Sequence, residues 1–113
     1  MGAINHEILD ERKEELEEFF GELIDTYLVD ARSLIERVMA AVGNDDAKEL
    51  NEAAHAIKSS SGFMGAEKVV ALAAELEAAG RAGTAAAVTG KAQELEAELT
   101  LACAELEQEK APA

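Results

Sequence analysis

Apolar residues return every three or four positions along almost the whole chain, and no stretch alternates in the manner of a strand. From about Ile8 to Val42 the series Leu16, Phe19, Phe20, Leu23, Ile24, Tyr27, Leu28, Ala31, Leu34, Ile35, Val38, Met39 and Val42 keeps that spacing. Glu14, Glu15, Glu17, Glu18, Glu22, Asp25, Glu36 and Arg37 occupy the other face. This is the pattern of a helix with one buried stripe. It predicts a first helix over about 8–42, long for a globular protein, with a kink near Thr26 to Asp30 or a short separate N-terminal helix. Gly43 is expected to stop it in the left-handed cap conformation. After the Asn44-Asp45-Asp46 connection, Asp46 and Glu49 have the spacing of a capping box. They open a second helix from about Ala47 to Ser61, with Gly62 and Gly65 punctuating its end. A third is expected from about Ala66 to Ala79, with Val69, Val70, Ala73 and Leu76 inward, followed by a Gly80-Arg81-Ala82-Gly83 loop. The fourth runs from about Thr84 to Glu109 through Val88, Ala92, Leu95, Leu99, Ala102 and Leu106, with Gly90 marking a late start. Both termini are expected to fray.

Amphipathic helices joined by short connections predict an all-α fold, an antiparallel up-down four-helix bundle with a long or kinked first helix. Composition agrees: aromatics make up 4%, Trp is absent, and the single Pro, Pro112, lies in the tail. A chain of 113 residues is expected to form one domain, ordered over about 8–109, with one modest core. It has no room for a nucleotide-binding kinase domain, so ATP chemistry has to come from a partner.

The formal net charge of −14, from 24 acidic and 10 basic residues, argues against binding nucleic acid or anionic membranes. It suits solvated helix faces. Cys103 is the only cysteine and falls inside a helical pattern, which fits a reducing compartment. No apolar run is long enough to span a bilayer. The N-terminal residues resemble neither a signal peptide nor a myristoylation site. A cytoplasmic location is the expectation.

One stretch carries candidate chemistry. On the second helix Leu50, Ala54, Ile57, Ser61 and Met64 form the expected buried stripe. His55 stands about 100° around from Ala54, on the flank of that stripe. Asn51, Lys58, Ser59 and Gly62 share its face. Ala56, Ser59, Ser60 and Gly62 are small enough to let a second protein approach the helix closely. No acidic residue occurs between Glu52 and Glu67, so this stretch presents no negative charge to an incoming phosphoryl group. A neutral imidazole, with a free pKa of roughly 6.5, is a good nucleophile near neutral pH. Lys58 could pair with phosphoryl oxygens and Ser59 could donate to one. Residue types alone leave His55 open: a lone histidine on a helix flank is ordinarily a surface or satisfied core residue. His6 matches no motif, and its spacing to His55 fits no metal-ligand pattern.

The run His55-Ala56-Ile57-Lys58-Ser59-Ser60-Ser61-Gly62-Phe63-Met64-Gly65-Ala66 closely resembles the signature of the histidine phosphotransfer (HPt) domains of two-component phosphorelays. The resemblance extends to the long acidic helix before it, the Asn44-Asp45-Asp46 turn, and the stretch from Leu72 to Gly83 with its Arg. It implies a four-helix bundle carrying a phosphoryl group on Nε2 of His55, with Lys58 as the phosphate-stabilising cation. It implies a docking face at Asn51, Ser59 and Gly62. The partners implied are response-regulator receiver domains and a hybrid or chemotaxis-type histidine kinase, with Mg²⁺ supplied by the receiver and no intrinsic cofactor. Many family members have Gly where this chain has Ser59, which puts partner choice or transfer rate in question. Two other readings stand beside the relay: a phosphoacceptor domain cut from a larger histidine kinase, and a non-catalytic helical adaptor.

Overall fold

The computed structural model describes residues 2–110. Among them are five α-helices: α1 (His6–Leu16), α2 (Phe20–Gly43), α3 (Ala47–Met64), α4 (Glu67–Arg81) and α5 (Thr89–Lys110). Short 3₁₀ turns at Glu17–Phe19 and Ala86–Val88 precede α2 and α5. Helices α2 to α5 form the four-helix bundle, each packed on its chain neighbour and α2 closing on α5.

The core is built from small residues interleaved with branched ones. Ala53, Ala54, Ala73, Ala92 and Ala102 are fully buried, and so are Ile24, Leu50, Leu76, Leu95 and Leu106. The alanines let helix axes approach; the larger side chains fill the space between. Each such Leu or Ile contributes about 1.5–3 kcal/mol on burial. Leu50, Ala54, Ile57, Ser61 and Met64 are buried as the stripe predicts. The one hydroxyl among them, Ser61, is satisfied by Tyr27 Oη at 2.7 Å, a bolt between α2 and α3. Burial pushes the Tyr27 hydroxyl up to about 12 despite that bond.

The first predicted helix breaks at Glu17–Phe19, not at Thr26 to Asp30, giving the short separate N-terminal helix. Glu17 takes φ 48° and ψ −114°, which turns α1 back over the end of α3. There Asn5 N–H donates to the Gly65 carbonyl at 2.8 Å and Arg12 Nε–H to the Phe63 carbonyl at 2.9 Å. Ile4 and Leu9 are buried. From Ala3 onward the N-terminal segment, where fraying is expected, lies against the bundle: the Ala3 N–H donates to Glu105. Residues 111–113 lie outside the described residues, and Lys110 ends α5.

Helix ends differ from expectation for local reasons. Gly43 closes α2 with an ordinary helical backbone; the left-handed residue of that turn is Asp45, at φ 52°, whose carboxylate accepts from Ala86 N–H. Asp46 caps α3 by accepting from Glu49 N–H at 3.1 Å. The reciprocal half of the box is missing because the Glu49 carboxylate is taken by Arg37. Helix α3 runs on through Gly62 to Met64, and Gly65, at φ 82°, is the cap. A Cβ there would stand 2.9 Å from the Asn5 carbonyl oxygen, so both conformation and space require glycine. Gly80 and Arg81, expected in a loop, form the last turn of α4. Gly80 is where α4 meets α3: a Cβ would lie 2.7 Å from Ala47 O and 2.7 Å from Asn51 N.

Candidate functional site

The α3–α4 seam continues from that contact to His55. Asn51 Nδ2–H donates to the Glu77 backbone carbonyl at 2.9 Å, one turn before Gly80. The Glu77 side chain, 8% exposed, points back along α3. Its Oε2 lies 2.6 Å from His55 Nδ1 and its Oε1 2.5 Å from Lys58 Nζ. Arg81 Nη2 approaches the same Oε2 at 3.6 Å. His55 itself is 60% exposed.

This geometry decides the tautomer. The hydrogen bond from Lys58, and then that from His55, hold the Glu77 carboxyl below the usual carboxylate range against the opposing effect of burial. At neutral pH Glu77 is ionised and can only accept hydrogen bonds. Nδ1 must then carry the ring proton in the neutral imidazole, leaving Nε2 with its lone pair on the exposed side. A nucleophilic nitrogen oriented by a buried carboxylate is the arrangement that covalent group transfer needs.

Of the residues expected at the site, His55 and Lys58 are brought together, but through Glu77 and not by direct contact. Asn51 is half-buried with its amide committed to α4. Ser59 is exposed on the outer surface of α3. Gly62 is exposed and helical; a Cβ placed there would meet nothing closer than Val70 Cγ2 at 3.8 Å. It leaves open room beside the histidine. Phe63, 43% exposed, extends this surface, and the Arg12 guanidinium sits 4.3 Å from its ring centre. His6 lies elsewhere, its Nε2 3.6 Å from Glu105.

Glu77 and Arg81 were not legible as site residues, and Glu77 corrects the picture of a site free of negative charge. The motif stretch itself carries none, but α4 delivers a carboxylate directly to the imidazole. A signal was present: Glu77 stands in line with Ala73 and Gly80 at helical spacing, an acid on a buried stripe.

The family model for the Hpt domain matches residues 22–109. The chain belongs to the Hpt domain family. The matched span of this Hpt domain takes in nearly all of α2 and the helices after it and omits α1. The crystal structure of histidine-containing phosphotransfer protein B (HptB) from Pseudomonas aeruginosa PAO1 is similar throughout, with a TM-score of 0.90 and 26% identity over 96% of this chain and 94% of that one. Comparison with curated protein sequences finds no significant match. An Hpt domain is a phosphocarrier, a histidine-containing phosphotransfer module of a two-component phosphorelay. No helix among the described residues is long and apolar enough to cross a membrane.

Proposed function

We propose that His55 is the phosphoryl-carrying residue and that the chain relays the group between aspartates of response-regulator receiver domains. The observation that carries this is the exposed Nε2, opposite an Nδ1 held at 2.6 Å by ionised Glu77. Nε2 attacks the phosphorus of an aspartyl phosphate. The N–P bond forms as the acyl P–O bond breaks, and the electron pair leaves with the Asp carboxylate. The ring proton stays on Nδ1, shared with Glu77, so no base is needed. The product is a phosphorylated imidazolium, which the carboxylate stabilises. The reverse step, onto the Asp of a second receiver, breaks the N–P bond and returns the neutral ring. Catalysis here is positioning and charge stabilisation.

Lys58 supports the developing phosphoryl charge, and Ser59 donates to one phosphoryl oxygen. Asn51, Ser59 and Gly62 mark the face on which the receiver docks. The metal ion is the receiver's: Mg²⁺ held by its acidic pocket supplies charge neutralisation from the opposite side. A hybrid or chemotaxis-type histidine kinase feeds the relay in the cytoplasm.

Radiolabel transfer from phosphorylated receiver domains tests the reading. Wild type should take up label that is acid-labile and alkali-stable, as a phosphoramidate is, and His55→Gln should take up none while keeping its helical circular dichroism. Label on a folded His55→Gln protein would overturn the assignment.

A further inference from the structure

The unphosphorylated site holds two cations for one anion. Glu77 is the buried carboxylate; Lys58 sits on Oε1 at 2.5 Å, and Arg81 stands off Oε2 at 3.6 Å with its side chain 69% exposed. Among the described residues no other Lys or Arg lies within 4 Å of this carboxylate. A phosphoryl group on Nε2 would bring roughly two further negative charges to the same few ångströms. Three negative charges, one on Glu77 and about two on the phosphoryl group, then face three positive ones, on the imidazolium ring, Lys58 and Arg81. If Lys58 turns outward to the phosphoryl oxygens, Oε1 of Glu77 loses its hydrogen-bonded cation. A buried carboxylate oxygen left without a partner is costly, and the ring on Oε2 alone would then have to hold Glu77 in place.

We propose that Arg81 is the reserve counter-ion of Glu77, closing onto the carboxylate as Lys58 turns to the phosphoryl group. The inference rests on His55 being the phosphorylated residue. The backbone is already placed for it. The Gly80 contact with Ala47 and Asn51 and the Asn51–Glu77 hydrogen bond pin the last turn of α4 to α3, so only the arginine side chain has to move. Its position four residues after Glu77 is the favourable order for a helical ion pair, and a cation in the last turn also faces the negative end of the helix dipole. Arg81 is a positioning residue in this account. It acts through Glu77 and holds the imidazole, while Lys58 is released to the transferred group.

Two measurements test it on wild type, Lys58→Ala, Arg81→Ala, Arg81→Lys and the Lys58→Ala/Arg81→Ala double variant. The first is ¹⁵N NMR of the His55 ring in unphosphorylated protein. Either cation should suffice for Glu77 there, so wild type and both single alanine variants should show the Nδ1–H form, and the double variant should lose it. The second uses phosphoramidate as a small phosphodonor, whose P–N bond breaks with release of ammonia as Nε2–P forms. Arg81→Ala should lower the phosphohistidine level reached at fixed donor by about fivefold, and Arg81→Lys should restore most of it. A double variant that keeps the Nδ1–H form, or an Arg81→Ala protein that matches wild-type phosphorylation, overturns the proposal. So does a loss that merely follows a lowered melting temperature. Failure of wild type to phosphorylate at His55 would instead remove the underlying function, and the unphosphorylated-state NMR result would stand apart from it.

Discussion

The two long seams of the bundle are built in opposite ways. Between α3 and α4 the backbones nearly touch at Gly80, an amide ties Asn51 to α4, and a buried carboxylate joins both helices. Between α2 and α5 there is an open groove of about 350 Å³ lined by Leu28, Ala31, Ile35, Leu99 and Cys103 among others. Both seams bury apolar residues, and an exposed ion pair from Lys110 to Asp25 also links α5 to α2, yet only the α3–α4 seam buries a hydrogen-bonded carboxylate. The lesson is that this small bundle concentrates its packing precision where a ring nitrogen has to be oriented and leaves slack elsewhere.

The sharpest way to break the contrast is to place the same side chain in each seam. Gly80→Leu should abolish the native fold or leave it only partly populated, because the overlap is with backbone atoms that cannot move independently. Gly80→Ala should already cost about 1–3 kcal/mol. Cys103→Leu, in the groove, should leave the melting temperature within a few degrees of wild type. Thermal melts of the three variants decide this; equal losses at both positions would show that the seams are alike.

A smaller effect is expected at Lys58. Lys58→Ala should slow phosphoryl transfer roughly tenfold, about 1.4 kcal/mol of barrier, with the fold intact, and Lys58→Arg should retain more activity. Quench-flow with labelled receiver measures it, and an unchanged rate would make the cation a spectator. No comparable rate change should follow from Arg32→Ala beside the α2–α5 groove.

The next effect is a pH dependence confined to the tight seam. Glu77 is held below its ordinary range when folded, so the unfolded chain binds its proton more readily. The stabilisation is fully present above the unfolded carboxyl value of about 4.3 and is lost as pH falls through the lower folded value. Stability measured by denaturant melts should therefore fall less steeply below that pH in Glu77→Gln than in wild type; parallel curves would remove Glu77 from the linkage. The smallest effect belongs to the groove. Burial pushes the Cys103 thiol up, the nearby Glu107 adding to the shift, so alkylation of native protein at neutral pH should be slower than that of a free thiol.

What could be read from the chain follows the same division. The buried stripe of α3 was legible because five residues at helical spacing admit one inward face, and His55 fell beside it by arithmetic. The acid cap at Asp46 was legible because its partner amide is local. The break at Glu17–Phe19 was not: apolar spacing runs through Leu16, Phe19, Phe20 and Leu23 without interruption, and a 3₁₀ turn shifts the register too little to show. Gly62 and Gly65 look alike in sequence, and contact with Asn5 decides which becomes the cap. Glu77 was hidden for a different reason. In a helix rich in Ala and Glu, one inward acid differs from Glu75 only by the face it shares with Ala73 and Gly80, and its meaning depends on what lies across the seam.

The turn at Gly65 also bears on how quickly the site can form. His55 and Glu77 belong to consecutive helices joined by a two-residue link, Gly65 and Ala66, so they are separated by only a short length of chain. Closing such a loop costs little entropy, and contacts of low sequence separation favour rapid folding. The α3–α4 hairpin can therefore bring histidine and carboxylate together early in folding, before α5 docks to complete the bundle around them.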